Sequence, residues 1–298
     1  MQRSSHVPVA AVNKAGLPLA AGLGLKPRHF QDVLDSRPAI GWFEVHPENY
    51  LVAGGPLLAQ LERIRADYPL SFHSVGMSLG SADGVDTVHL RRLRALAERF
   101  EPAQMSDHLS WSRHGQRYLN DLLPMPLTTA ALAQMCRNVM QAQDILGRTL
   151  ALENPSSYLH LPGAQMSESD FLVELCRRTD ARILLDVNNI YVSGHNLGWS
   201  PLDYLQSIPP NLVAEVHLAG HKVEVVEQDT LLIDDHGSPV CAAVWQLYES
   251  ALSQLGPAPV LIEWDTDVPP LSVLLREADT AQHLLQSGLS ASARRSLP

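Results

Sequence analysis

Cysteine is scarce in this chain. Cys136, Cys176 and Cys241 are the three in 298 residues, and no two are spaced as CxxC. So sparse and odd-numbered a set excludes a disulfide framework or a site built on clustered thiolates. It reads as packing residues in a reducing, cytoplasmic setting. Basic residues are also in short supply: 22 Lys and Arg stand against 32 Asp and Glu, a net charge of −10 with histidine neutral. That balance disfavours nucleic-acid backbones and anionic membranes as partners. No run approaches the ~20 apolar residues that span a bilayer. Residues 17–25 are apolar, but they follow a mixed polar segment at 1–14 and read as a first strand rather than a signal-peptide core. Short-period repeats, low-complexity tracts and charge blocks are missing too.

What the chain does have is alternation. Strand-like stretches at 20–25, 40–45, 70–75, 104–109, 150–152, 182–187, 212–218 and 259–264 are followed by helix-like stretches at 27–35, 56–68, 86–100, 128–146, 168–178, 201–207, 242–255 and 270–285. In the fourth helix Leu132, Met135, Val139 and Ala142 recur at three- or four-residue intervals. Strands such as Arg182-Ile-Leu-Leu-Asp-Val187 are continuously apolar, as in a parallel sheet covered on both faces. Eight such units in roughly 250 residues predict an α/β fold, a (β/α)8 TIM barrel. A doubly wound open sheet is the rival, but it gathers a ligand where two strand ends meet. Here seven strands end on a histidine or a carboxylate. The expectation is one barrel domain over 1–298, with its core at about 20–286 and flexible tails.

The seven endings are Gly41-Trp-Phe-Glu-Val-His46, Leu70-Ser-Phe-His73, Gln104-Met-Ser-Asp-His108, Leu150-Ala-Leu-Glu-Asn154, Ile183-Leu-Leu-Asp186, Val213-Ala-Glu-Val-His217 and Val260-Leu-Ile-Glu263. In a barrel they face one mouth. Glu153, Asp186, Asp234 and Glu263 would then be crowded together. A buried unpaired charge costs several kcal/mol, and the segments carrying these acids hold no Lys or Arg apart from the more distant Lys222. Bound multivalent cations, with the histidines as co-ligands, resolve the conflict. Glu153, central in the row, can bridge two ions, and the Asp234-Asp-His236 loop can reach a third. His195 and His221 are expected on mouth loops. Trp111 and Trp199 follow strand ends and are candidates to line a groove. His6, His29, His89, His114, His160 and His283 are expected at the surface.

Five stretches in order, Glu44-Val-His-Pro-Glu-Asn-Tyr50, Ser106-Asp-His-Leu-Ser-Trp111, Leu152-Glu-Asn-Pro155, Leu185-Asp-Val-Asn-Asn189 and Glu215-Val-His-Leu-Ala-Gly220, resemble the DUF692 family of multinuclear non-heme iron-dependent oxidative enzymes (MNIO). The resemblance runs from about residue 22 to 285 and implies a xylose-isomerase-like barrel. It implies that His46, His73 and Glu153 hold one iron, and that Glu153, Asp186, His217 and Glu263 hold a second. Asn189, Asp234 and His236 would hold a third, weakened because Asn189 stands where DNA-repair relatives have a histidine. Two or three irons are therefore expected, with O2 as co-substrate and Glu153, Asp186, His217 and Glu263 as the catalytic set. His108, Asn154, Trp111, His195 and His221 are the expected substrate contacts. The implied reaction is oxidative modification of cysteines in a ribosomally made precursor peptide, aided by a small partner protein that binds the leader. The alternatives are a di- or trinuclear zinc or manganese hydrolase or isomerase on the same fold, and a non-catalytic peptide-binding barrel.

Overall fold

Short apolar strands that each feed a helix can satisfy their backbone only by pairing side by side in parallel, with the helices covering the outside. The structure, a computed structural model, describes residues 16–227 and 229–295. Its strands are β1 (Ala21–Gly24), β2 (Trp42–Val45), β3 (Leu70–His73), β4 (Gln104–His108), β5 (Ser110–His114), β6 (Arg117–Pro124), β7 (Ala151–Glu153), β8 (Arg182–Asp186), β9 (Val213–Leu218), β10 (Lys222–Val226), β11 (Asp229–Ile233) and β12 (Val260–Ile262). Its helices are α1 (Phe30–Ser36), α2 (Pro56–Asp67), α3 (Thr87–Phe100), α4 (Thr129–Leu146), α5 (Glu168–Thr179), α6 (Val187–Leu197), α7 (Pro201–Ser207), α8 (Ala242–Leu255) and α9 (Leu271–Arg295). Strands β1, β2, β3, β4, β7, β8, β9 and β12 close, all in parallel, into a barrel. The expected TIM barrel is the observed fold.

Successive strand residues point to opposite faces. One set, including Phe43, Val45, Phe72, Met105, Leu152, Ile183, Leu185, Val216 and Ile262, is buried in the hydrophobic core. The alternate set, Glu44, Ser71, His73, Ser106, His108, Glu153, Asp186, Glu215 and His217, is just as buried but polar. Neighbouring strands hold these polar residues in register, with His73 opposite Ser106, His108 opposite Glu153 and Asp186 opposite His217. The barrel therefore has a polar throat inside an apolar sleeve. In α3, Asp86 caps the first turn by accepting from the backbone N–H of Val88 and His89 at 2.9 and 3.1 Å, and Leu90, Leu93, Ala97 and Phe100 bury one face.

Strict one-to-one alternation does not hold. Two antiparallel hairpins, β5–β6 and β10–β11, rise from the mouth, and α6 stands between β8 and α7. The first hairpin turns at Gly115, whose φ of 59° suits the tight turn. Helix α6 begins directly on the last residue of β8, because the Asp186 carboxylate accepts from the Asn189 N–H at 2.6 Å and caps it. Helix α9 continues to Arg295, past the expected end near 285. Residues 1–15, with His6, lie outside the described residues. His29, expected at the surface, is buried and its Nε2 lies 2.9 Å from the Pro269 carbonyl. No helix among the described residues is long and apolar enough to cross a membrane. All three cysteines are free thiols, and burial pushes that of Cys176 up to about 12, as packing residues require.

Candidate metal centre

Three donor atoms converge at the end of β3, β4 and β7. His73 Nε2 and His108 Nε2 lie 3.2 Å apart, and each faces Glu153 Oε2, at 3.0 and 3.2 Å. Separations of about 3 Å are what ligands show around one ion with bonds near 2.1 Å. The His73 ring is fixed from behind, its Nδ1 2.8 Å from Ser106 Oγ, whereas His108 Nδ1 has only the Asp107 carboxylate near it, at 3.8 Å and beyond hydrogen-bond reach. Burial opposes charge at His108, but the Glu153 and Asp107 carboxylates prevail and raise it to about 9. The same imidazoles overcome burial at Glu153 and hold its carboxyl down at about 2.

A second group shares Glu153. With Asp186, His217 and Glu263 it can offer one ligand atom each within 4.8 Å of one another. His217 Nδ1 is 3.1 Å from Glu263 Oε2, which also lies 3.3 Å from His236 Nδ1. Burial, then the Glu153 charge, push the Asp186 carboxyl well above its ordinary range. Asp186 Oδ2 and Asn189 Oδ1 are buried and have no hydrogen-bond partner among the described residues. Orphaned buried acceptors of this kind are costly unless a cation or water meets them. The donor set, imidazole and carboxylate with no thiolate, suits borderline and hard cations such as iron, zinc or manganese. The residues fit a metal cluster.

A third, looser group sits above. His236 Nε2 is 2.6 Å from Asp234 Oδ1, and Asn188 Nδ2 donates to the same oxygen at 2.9 Å. Asn189 Nδ2 points to Glu153 Oε1 at 3.4 Å and donates to the Asn154 carbonyl at 3.1 Å. The loop carrying Asp234 and His236 is pinned where Gly220 passes Ser238, since a Cβ at Gly220 would overlap the Ser238 backbone. Gly220→Ala should lower unfolding free energy by roughly 1–3 kcal/mol in urea titration, as overpacking does. An unchanged midpoint would mean the loop is free to move away.

Several expected contacts land elsewhere. His46 does not join His73 and Glu153. Its Nε2 faces Asp265 Oδ1 at 3.7 Å and Lys26 Nζ at 3.4 Å, and its Nδ1 lies 3.1 Å from the His73 carbonyl oxygen. Lys26 also contacts the Asp265 carboxylate directly, so the mouth does carry one lysine, at its rim. His108 takes the place next to His73. Asn154 is buried and spends its amide on the Asp186 backbone, donating at 2.9 Å and accepting at 2.8 Å. His195 lies on α6 rather than on a loop, with Nε2 3.1 Å from the Thr230 carbonyl. His221 Nδ1 lies 2.8 Å from Asn188 Oδ1, one step behind Asp234. Trp111 Nε1 donates to the Pro124 carbonyl at 3.0 Å within the hairpin.

Glu44 and Glu215, which the strand-end pattern does not single out, are buried two residues before His46 and His217. Glu215 Oε1 and Glu44 Oε1 lie 3.2 and 3.4 Å from His217 Nε2, and Gln104 donates to Glu215. Burial, with the Glu44 charge, raises Glu215 to about 8. Two-residue spacing before a strand-end histidine was the available signal.

The mouth encloses about 190 Å³, lined by His46, His73, His108, His236, Glu153 and Glu263 among others, with Val75, Leu122, Pro155 and Ser156, while Asp186 and His217 lie behind its wall. At ~30 Å³ per water that admits a side chain and a small molecule, not a folded partner. Across Pro155 lies a cavity of about 530 Å³ containing Glu168, whose carboxyl burial pushes up to about 7. Raised above its unfolded value, Glu168 keeps a proton that the unfolded chain releases. Its contribution to stability is present at low pH and is lost as pH rises from about 4.5 through about 7. Glu168→Gln should therefore flatten the fall in urea midpoint between pH 5 and pH 8, an effect on the order of 1–2 kcal/mol. An identical fall in both proteins would contradict this.

Fold and site together define a class, the xylose-isomerase-like TIM barrels, here with groups able to hold metal gathered at the strand ends. Among solved structures, the chain is similar to a xylose isomerase-like TIM barrel protein from Mycobacterium smegmatis in complex with magnesium, with TM-score 0.57 and 14% identity over 92% of this chain and 98% of that one. Endonuclease IV from Thermus thermophilus gives TM-score 0.54 and 13% identity, covering 91% and 99%. At these identities the likeness concerns fold alone. Residues 20–286, however, match the family model for the RiPP precursor modification enzyme MbnB/TglH/ChrH. UPF0276 proteins of Vibrio vulnificus and of a Caulobacter species are 47% and 49% identical over 268 and 265 residues, covering 90% and 89% of this chain and 92% and 96% of theirs. The chain belongs to this family, that of the MNIO or DUF692 enzymes, which act on ribosomally made precursor peptides.

Proposed function

We propose that this protein is a multinuclear iron enzyme that uses O2 to oxidise cysteine residues of a precursor peptide in the cytoplasm, with a small partner protein presenting the leader. The observation that carries the reading is the position of Glu153, one buried carboxylate common to the His73–His108 group and to the Asp186–His217–Glu263 group. A carboxylate so shared is suited to bridge two cations. On this reading His73, His108 and Glu153 hold one ion, with His46 beside them. Glu153, Asp186, His217 and Glu263 hold the next, and Asn189, Asp234 and His236 a third. Bound iron would supply the electron transfer and oxygen chemistry that side chains lack.

The chain's own residues do the remaining work. Glu215 and Glu44 orient the His217 ring from behind, as outer hydrogen-bond partners do for metal-binding histidines. The Asn154 amide and the Asn189 N–H fix Asp186 at both backbone and carboxylate. Val75, Leu122 and Pro155 narrow the mouth around a thiol-bearing side chain and limit water. Electrons leaving cysteine go to O2, which takes four on its way to water. A two-electron product therefore draws two more from an added reductant.

The test is direct. Protein purified in air should carry about two or three irons per chain with a visible absorption band. A cysteine-containing precursor peptide, O2 and reductant should then yield a product of altered mass. A colourless zinc or manganese protein that leaves every such peptide unchanged would favour the hydrolase or isomerase alternative.

A further inference from the structure

The mouth and the 530 Å³ cavity share Pro155, and the segment that follows splits between them, with Ser156 lining the mouth and Ser157 the cavity. Strand β6 does the same, giving Leu122 to the mouth and Pro124 to the cavity. The two spaces are thus neighbours along one wall. Apolar side chains dominate the larger one, among them Leu109, Met125, Leu127, Leu161, Met166 and Trp199. Among the described residues its lining carries the acids Glu168, Asp170 and Asp203, one histidine, His160, and no Lys or Arg. All three acids lie in helix first turns, Glu168 and Asp170 in α5 and Asp203 in α7, where helix dipoles favour acids.

Glu168 is different, because its carboxyl is turned into the protein. It accepts from Ser157 Oγ and Tyr204 Oη, both at 3.2 Å. Hydroxyl bonds to an ionised carboxylate normally close to about 2.5–2.7 Å. Long bonds to a partly buried carboxyl leave it able to take a stronger partner. Trp199, stacked on Tyr204 with ring centroids 5.4 Å apart, lines the same space.

An occupant must therefore lay an apolar stem against leucine and methionine and present a cationic head to a carboxylate near an indole. Lysine and arginine are built that way, and arginine pairs best with both carboxylates and aromatic faces. We infer that this cavity is a subsite for a basic residue of the substrate peptide, near the reacting cysteine in the peptide because the two spaces share Pro155. The inference rests on the peptide reading above, and it names a specificity determinant that lies outside the metal centre.

The test uses the full-length protein and three capped tripeptides without cysteine, Ac-Leu-Arg-Leu-NH2, Ac-Leu-Gln-Leu-NH2 and Ac-Leu-Glu-Leu-NH2. Binding is read by calorimetry and by tryptophan emission, with Trp199→Phe identifying the reporting residue. The arginine peptide should bind at least about tenfold more tightly than the glutamine peptide, and the glutamate peptide most weakly. Glu168→Gln should reduce the arginine preference to about threefold or less. The exposed Ala164, also on the lining, provides a variant that spares the interior. Ala164→Lys should supply a built-in occupant and abolish arginine-peptide binding. Equal affinity for all three peptides, an unchanged preference in Glu168→Gln, or an emission change that survives Trp199→Phe would overturn the inference. Because these peptides cannot be oxidised, the two proposals fail separately. Cysteine oxidation without arginine preference removes only the subsite, and arginine preference without oxidation removes only the reaction.

Discussion

Glu153→Ala protein is expected to purify with at least about tenfold less bound metal than the wild type. Replacing even an outer partner of a metal ligand costs 10–100-fold in affinity. Glu153 is in both buried groups able to hold an ion, so on the proposed reading its loss should empty two positions at once. Asp234→Ala touches only the upper group with His236 and should leave most of the metal in place. The contrast separates a bridging residue from a peripheral one, and elemental analysis reads it. Glu153→Gln, which keeps the shape, controls for misfolding. Full metal content in Glu153→Ala would refute the bridge.

Removing the metal should lower the melting temperature by roughly 10 °C or more. An ion that binds only the native state at a hundred times its Kd adds about 2.7 kcal/mol, and two such ions add about 5. For a chain of this size each kcal/mol moves the midpoint by about 2–4 °C. Asp186 makes the test sharper, because its effect should change sign. In metal-free protein its buried carboxyl lies beside the Glu153 charge with one oxygen unpartnered, so at neutral pH ionisation works against the fold. Asp186→Asn should therefore raise the melting temperature of the metal-free protein and lower that of the loaded one. Calorimetry on both forms checks this. A variant destabilised equally with and without metal would mean that Asp186 is structural.

Much of the candidate site is legible in the sequence alone. Glu-Val-His at 44–46 and 215–217, Ser-Phe-His at 71–73 and Ser-Asp-His at 106–108 each repeat a polar position two residues apart around a middle residue buried elsewhere. That is the strand period applied to a barrel with a polar throat. Partnering was less legible. His46 follows β2 and turns away into a short helical turn opened by Pro47, so its ring meets Asp265 and Lys26 instead of Glu153. His108, still on its strand and in register with Glu153, takes the inner place.

The elements outside strict alternation had local signals too. The alternating Lys222-Val-Glu-Val-Val226 marks an edge strand, and Asp186 with Asn189 three residues on marks a helix cap. Both had competing readings, as a loop and as ligands, and Asp186 plays both parts geometrically.

By itself the sequence determined the closed barrel, the family and the row of acids and imidazoles at the strand ends. Those follow from periodicity and residue type along short stretches, which are local properties. Only the tertiary structure decided which groups share a pocket, because neighbours in the mouth come from strands tens of residues apart. Their meeting depends on register and ring orientation, and no stretch of chain contains either.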